Sequence, residues 1–115
     1  MQALEYYGLH EAIKPKLVFG ESIAQTNQFV LSGAAEMGFT AEAAVRSPAM
    51  QGKGRWETVD PQSYAPIAQG VLLLRTPPGK QAAALAFYEY LTSAEAMEIL
   101  IKYGYSIDEP IARED

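Results

Sequence analysis

A chain of 115 residues with 49% hydrophobic and 20% charged residues suits one globular domain with a modest core. Its net charge of -5 argues against nucleic acid or an anionic membrane as a partner, although a small anion can still bind local backbone amides. The absence of cysteine excludes disulfide scaffolds, thiolate metal sites and cysteine nucleophiles.

Apolar runs and the first residues bear on membrane insertion and export. The longest apolar stretch, residues 70–74, has the length of a strand and is too short to cross a bilayer. The first residues carry no basic, apolar signal-peptide pattern. Met1 has no capping residue before it, while Leu4 and Tyr7 already lie at helical spacing. We therefore expect Met1 to be an internal residue of a longer protein, or a start chosen for expression.

The first elements in chain order are a helix, a connector and a strand. Residues 2–7 have helical spacing, and Gly8 closes that helix. Residues 10–16 form a connector, because Pro15 prevents their continuation as a helix. Residues 16–19, Lys-Leu-Val-Phe, are a short apolar run before a glycine and predict a buried strand.

The stretch that follows, residues 20–25, predicts a helix N-terminus with free amides. Ser22 followed by Gln25 fits a capping box, in which the serine oxygen accepts an early helix N–H and the glutamine bonds the N–H of the cap residue. The N–H groups of Ile23 and Ala24 then stay free at the positive end of the helix, which suits an anion site. The alternative is that Ser22 only caps a helix and that nothing binds there.

Periodicity and turn residues divide the remainder into further helices and strands. Ser32-Gly33 ends the helix that Ser22 begins. We predict strands at 34–40, 56–59, 67–74 and 105–107, and helices at 42–45, 80–91 and 92–103. A Thr92–Glu95 capping box opens the last of these helices, and Gly104 ends it. Residues 46–55 are predicted to form a loop, and residues 108–115 are predicted to fray. Alternating helices and strands indicate an α/β fold with parallel pairing. Near-continuous apolarity in 67–74 implies burial on both faces.

Few residues could carry catalysis. His10 is the only histidine, which excludes histidine-cluster metal sites, and we interpret it as a surface loop residue. The serines lack a nucleophile-elbow context, and no glycine-rich phosphate loop occurs. Glu36 and Glu42 could face each other as paired carboxylates, but we interpret them as a solvated strand position and an acid at a helix N-terminus. The sequence therefore disfavours an enzyme.

Several motifs in a fixed order resemble one family. They are Ala3-Leu4 to Gly8-Leu9, Ile13 to Ile23, Gln25 to Phe29, Ser32 to Phe39, Tyr64 to Gln69, Ser93 to Ala96 and Lys102 to Tyr105. Together they are similar to the second lobe and C-terminal part of the periplasmic molybdate-binding proteins of bacterial ABC importers. The resemblance implies a type II periplasmic binding protein, in which each three-layer α/β lobe has a mixed, mainly parallel sheet flanked by helices.

The resemblance also implies how a ligand is held. In this family the oxyanion lies between two lobes and is bound by neutral backbone amides and hydroxyls, with no cofactor and no direct cation ligands. The amide of Ile23 matches the backbone ligand of the second lobe, and Ser22 lies beside it as a helix cap only. Some members add a tyrosine hydroxyl just after the second strand, where this chain has Thr40-Ala41, so that tyrosine is absent.

By the same resemblance, residues 1–75 are the second lobe with its first helix truncated. Residues 76–115 are a C-terminal helical return segment that would complete a first lobe outside this chain. Because the donors of that lobe are missing, we expect this chain alone to bind oxyanion weakly or not at all. The apolar stripe of the last helices consists of Phe87, Tyr88, Leu91, Ile99 and Leu100. Without the first lobe the stripe lacks its cover, which predicts self-association, by exchange of the C-terminal helices.

The function implied is capture of molybdate or tungstate as the substrate-binding component of an ABC importer. The partners would be the oxyanion and an ABC permease, in the periplasm or at the outer face of the inner membrane. Neither nucleic acid nor membrane insertion is expected. A rival from another class is the effector-sensing domain of a transcription regulator with the same fold, which an attached helix-turn-helix would favour.

Overall fold

The computed structural model describes residues 1–75 and 77–107, and the chain divides into two compact units, Met1–Ile67 and Ala68–Asp115. The helices of the first unit are α1 (Gln2–Tyr6), α2 (His10–Ile13), α3 (Ile23–Leu31) and α4 (Glu42–Val45), and its 3-10 turns are Lys14–Lys16, Pro48–Met50 and Pro61–Ser63. The helices of the second unit are α5 (Pro78–Tyr90) and α6 (Ala94–Lys102).

Glycines end the first and last helices, as their positions in the sequence predict. Gly8 has a φ of +67°, which side chains rarely tolerate, and it lets the chain leave α1. The N–H of Leu9 then donates to the carbonyl of Leu4 at 2.8 Å, so an otherwise unpaired helix-end carbonyl is satisfied. Gly104, with a φ of +90°, ends α6 in the same conformation. The predictions of these helix ends are confirmed.

The predicted connector at residues 10–16 is wrong, because the chain there is helical. It forms α2 and then the 3-10 turn Lys14–Lys16. Pro15 lies in the first positions of that turn. Backbone N–H groups at the start of a helical turn have no acceptor within it, so the missing N–H of proline costs no hydrogen bond there. Pro15 therefore lies in a 3-10 turn, and the α-helix before it ends at Ile13, which agrees with the prediction that proline prevents the helix from continuing.

The cap of α6 is one residue later than the predicted capping box. Ser93 Oγ accepts the N–H of Ala96 at 3.2 Å, so Ser93 is the N-cap. The hydroxyl of Thr92 instead donates to the carbonyl of Glu89 at 2.8 Å, at the end of α5. Two adjacent hydroxyls thus serve two different helices.

The predicted strands are absent from residues 1–75 and 77–107. Residues 17–20, 37–41, 54–60 and 65–75 run without helix, turn or bend, as strands would. Their apolar side chains are nevertheless exposed, with 71% of Val18, 85% of Met37 and 80% of both Ile67 and Leu72 accessible. An extended run becomes a strand only when a neighbouring chain completes its hydrogen-bond ladder, and none does so among the described residues. The predicted sheet is therefore not confirmed, and residues 108–115 lie outside the described part.

The interior of the first unit is small. Leu4 of α1 and Ser63 of the 3-10 turn are its buried residues among those described. Gln2 Oε1 accepts the backbone N–H of Ala65 at 2.8 Å, which joins α1 to the segment after that turn. The hydroxyl of Ser63 donates to the carbonyl of Asp60 at 2.6 Å, so the buried hydroxyl is satisfied. The hydrogen bond within the 3-10 turn is thus local, and the bond from Gln2 to Ala65 connects the two ends of the unit in sequence.

The second unit presents much of its apolar surface. Ala96 is buried, whereas Phe87 and Ile99 of the predicted stripe are exposed. Tyr88 and Leu100 of the same stripe are half-buried. Among the residues that the structure describes, no helix has both the length and the apolarity required to cross a bilayer.

Candidate functional site

The start of α3 is the site that the sequence singles out, and its cap forms largely as predicted. Ser22 has extended backbone angles, with φ -154° and ψ 163°, and its Oγ accepts the N–H of Gln25 at 3.1 Å. Gln25 Oε1 in turn accepts a backbone N–H at 2.6 Å, but that N–H belongs to Glu21 and not to Ser22. The reciprocal bond therefore reaches one residue further back than a capping box requires, and it fixes the loop before the helix as well.

The loop before α3 lies close against the helix, which explains the glycine at position 20. A Cβ on Gly20 would lie 2.5 Å from Thr26 Oγ1 and 3.0 Å from the backbone nitrogen of Thr26. Thr26 also anchors the helix start, because its N–H and its hydroxyl both donate to the carbonyl of Ser22, at 3.0 and 3.2 Å. Only glycine leaves room for this approach of loop and helix.

The amides predicted to be free are free within the described part of the chain. The N–H groups of Ile23 and Ala24 donate to no acceptor there. Both residues are exposed, and Ile23 is 48% accessible. Unpaired amides in the first turn of a helix carry partial positive charge, so this end of α3 can donate hydrogen bonds to an anion. α3 is nine residues long, enough for its peptide dipoles to align over more than two turns.

A second polar pair lies further along α3, and sequence reasoning missed one of its members. The hydroxyl of Thr40 donates to Asn27 Oδ1 at 2.6 Å. Gly38 brings this segment onto the helix, because a Cβ there would lie 3.0 Å from Val30 Cγ2. Asn27 lies one turn after Ile23, and helical spacing alone would have placed the two on one face.

Glu42, one of the two carboxylates considered as a pair in the sequence, forms an ion pair in the structure. Glu42 Oε1 accepts from Arg46 at 2.7 Å across one helical turn, so its carboxylate is neutralised by an ion pair. The guanidinium of Arg46 also lies 5.3 Å from the ring centre of Trp56, within the range of a cation–π contact. In the described residues no group of three or more acidic, histidine or cysteine side chains could hold a metal ion.

His10 lies at the start of α2, within a small charge cluster. Its Nδ1 is 3.2 Å from a carboxylate oxygen of Glu11, and Lys14 Nζ is 3.8 Å from the same oxygen. Glu11 and Lys14 are well exposed, so the cluster is solvated and contributes little energy. The prediction of a surface loop residue is wrong in part, because His10 is the first residue of α2 and only 18% of its side chain is accessible.

The first unit also contains a cavity of about 900 Å³ that does not include the α3 amides. Its lining is mostly the two runs 36–42 and 53–59, together with α3 residues such as Asn27 and Val30. Ser22 and Ile23 do not line it. The cavity and the free amides are therefore separate features.

The chain belongs to the family of bacterial extracellular solute-binding proteins, whose model matches residues 1–106. It is 38% identical over 105 residues to the molybdate-binding protein ModA of Rhodobacter capsulatus, covering 91% of this chain and 40% of that protein. It is 40% identical over 107 residues to the molybdate-binding protein ModA of Azotobacter vinelandii, covering 93% of this chain and 42% of that protein. The predicted resemblance is thus confirmed.

This chain spans about two fifths of the length of these curated relatives. No solved structure is similar enough to the chain to count as a match. The family indicates an α/β fold and a protein that binds a solute, and not an enzyme.

Proposed function

We propose that this chain is the second-lobe part of a solute-binding protein that captures molybdate or tungstate for an ABC importer. The observation that carries the proposal is the pair of free amides at Ile23 and Ala24, on a capped helix in a chain similar to molybdate-binding proteins. The names of the relatives indicate the class of ligand, and the free amides at the start of α3 can donate hydrogen bonds to it.

A dianion suits this helix start because the donors are neutral and already ordered. The bonds of Ser22 and Gln25 hold the first turn in place, so little ordering remains to be done when a ligand binds. Amides at the positive end of a helix can donate to oxyanion oxygens without bringing in a counter-charge. In this proposal Ile23 donates its backbone N–H to the ligand, and Ser22 remains the cap beside it.

Within the proposal the chain forms a lobe and a return segment. Residues 1–75 would build a three-layer lobe around a mixed, mainly parallel sheet, and residues 76–115 would complete a first lobe. The unbent, exposed apolar runs support a sheet whose other strands come from outside this chain. Phe87 and Ile99 of the predicted apolar stripe are exposed, which supports self-association of the isolated chain.

The setting of the complete protein follows from the same relatives. Closure of two lobes around the oxyanion would present the loaded protein to an ABC permease in the periplasm. The protein would bind and release its ligand without chemical change and would need no cofactor. Neither the family nor the printed names of the relatives point to a transcription regulator.

The test is an NMR titration of the isotope-labelled chain with molybdate, with tungstate, sulfate and phosphate in parallel. We expect the amide resonances of Ile23 and Ala24 to shift and saturate, with a weak Kd on the order of 1 mM because half of the cleft is absent. Molybdate and tungstate should shift them more than sulfate or phosphate. If the amide shifts caused by molybdate occur elsewhere and spare these two residues, the proposed site is wrong.

The matched variant is Ile23→Pro, which removes the one N–H under test. Proline is favoured at the first position of a helix, and Ser22 before it already has the extended angles that a residue before proline requires. The helix should therefore survive while the shift at Ala24 is lost or weakened severalfold. Ile23→Val keeps the N–H and should titrate like the unaltered chain.

A further inference from the structure

The cavity of the first unit is lined by two stretches of unpaired backbone. Residues 36–40 and 54–59 all lie along it, and within the described part of the chain none of their backbone N–H or C=O groups forms a hydrogen bond. Backbone groups in such a state are open to pairing with an added strand. We call this cavity the strand slot.

The size of the strand slot fits a piece of β-strand. A residue in a packed sheet takes up about 3.3 Å along the strand, 4.8 Å to its neighbour and 10 Å between layers, or roughly 160 Å³. The cavity of about 900 Å³ therefore has room for about six strand residues. Apolar side chains line it from both runs and from α3, among them Val30, Met37, Phe39, Trp56 and Val59.

The chain itself contains a segment with the matching chemistry. Residues 67–74, Ile-Ala-Gln-Gly-Val-Leu-Leu-Leu, are unbent, uncharged and without backbone hydrogen bonds among the described residues. Ile67, Val71, Leu72 and Leu74 are exposed. Alternate residues of a strand point to opposite faces, and here both faces are apolar, which is typical of a strand that is covered on both faces. The slot offers unpaired backbone groups from its two runs and apolar side chains from α3.

We propose that residues 67–74 of a second copy occupy the strand slot, and that each copy of a symmetric dimer gives its segment to the other. Such an exchange satisfies the open backbone of the slot and of the segment together, and it covers apolar surface on both. The segment itself contains no charged residue, although charged side chains such as Lys53, Arg55 and Glu57 lie along the slot. A two-fold arrangement makes both exchanges equivalent and closes the assembly at two copies. This inference does not depend on the proposed oxyanion site.

The first measurement is the mass of the intact chain in solution, by light scattering and sedimentation over a range of concentrations. We expect a dimer, at twice the 12.6 kDa of one chain. A monomer at every concentration overturns the proposal. Val71→Pro removes a ladder donor from the segment, and Thr58→Pro removes one from the slot. Each should raise the dimer dissociation constant by about tenfold or more, the equivalent of one hydrogen bond lost at an interface.

Control variants keep the N–H and the side-chain class at the same two positions. Val71→Ile and Thr58→Val should remain dimeric, and all four variants should retain the helical circular dichroism of the unaltered chain. A dimer that survives both proline variants with its affinity unchanged does not use the slot, and this result overturns the proposal.

Cross-linking separates strand exchange from association through the last helices. Because the chain has no cysteine, a chain carrying Thr58→Cys can be mixed with a second chain carrying Val71→Cys and oxidised. We expect a disulfide between the two, formed faster than in a mixture of Val71→Cys and Ile99→Cys chains. If only the mixtures that contain Ile99→Cys cross-link, the copies meet through their C-terminal helices and the strand slot is not the interface.

Discussion

Gly20 is the position where the smallest substitution should disturb the candidate site most. Its φ is not in the left-handed region, so the reason for glycine is space and not backbone angle. In Gly20→Ala the new Cβ would lie 2.5 Å from Thr26 Oγ1, 3.0 Å from the Thr26 nitrogen and 3.2 Å from the Ser22 carbonyl oxygen. The hydroxyl can rotate away, but the two backbone atoms belong to the first turn of α3 and are tied by their own hydrogen bond.

The cost of Gly20→Ala follows from that crowding. Overpacking by one carbon against a fixed backbone costs about 1–3 kcal/mol of unfolding free energy. For a chain of this size that is roughly 4 °C in Tm per kcal/mol. The assay is urea unfolding followed by circular dichroism, with thermal melts in parallel. The same variant should weaken the anion-induced shift at Ile23, because the crowding displaces the first turn that presents the amide.

The control for this prediction is Gly54→Ala. Gly54 has nothing within 4 Å of the site of a Cβ and no positive φ, so the change should stay within about 0.5 kcal/mol. Thr26→Ala removes the closest atom, and in the double variant with Gly20→Ala we expect a coupling of at least about 0.5 kcal/mol. If Gly20→Ala costs no more than Gly54→Ala, the contact between loop and helix is wrong. Strict additivity with Thr26→Ala would refute the role of the hydroxyl.

Two further predictions concern capping and surface charge. Ser93→Ala should lower the free energy of unfolding by about 1 kcal/mol, because Ser93 caps α6, while Thr92→Ala should lower it by less. Chemical denaturation measures both losses. If Thr92→Ala is the more destabilising variant, Thr92 is the cap, as the sequence predicts. Glu42→Gln should cost at most about 0.5 kcal/mol, because its ion pair with Arg46 is a helical pair near the surface. The loss in free energy of unfolding should be smaller in 1 M salt, because salt screens the ion pair. If the loss does not depend on salt, the charges do not account for it.

Apart from α2, where the sequence predicts a connector, the helices could be predicted from the sequence because their signals are local. Gly8 ends α1 and Ser22 begins α3 through bonds to residues three to five positions away, which a reader of the sequence can see. The cap of α6 was misassigned for the same reason, since Thr92 and Ser93 are both capping residues and only the structure shows which one faces Ala96.

The predicted sheet is a different case, because a strand needs a partner that sequence spacing does not name. The run 67–74 has the composition of a buried strand, yet no ladder forms along it in the described residues. The Thr40–Asn27 bond was missed for a related reason. It joins residues thirteen positions apart, and it depends on Gly38 bringing the segment onto α3. Contacts between residues that are distant in sequence therefore could not be predicted, either at the site or in the sheet.

The hydrogen bond between Gln2 and Ala65 has a consequence for the order of folding. It joins residues 63 positions apart, and closing a loop of that length costs on the order of 4 kcal/mol of chain entropy. During synthesis α1 leaves the ribosome several seconds before residue 65 does, at about 5–20 residues per second, and until then this hydrogen bond cannot form. In that interval α1 is exposed to proteases and chaperones without the bond. We therefore expect this contact of the first unit to form late, after residue 65 has been synthesised.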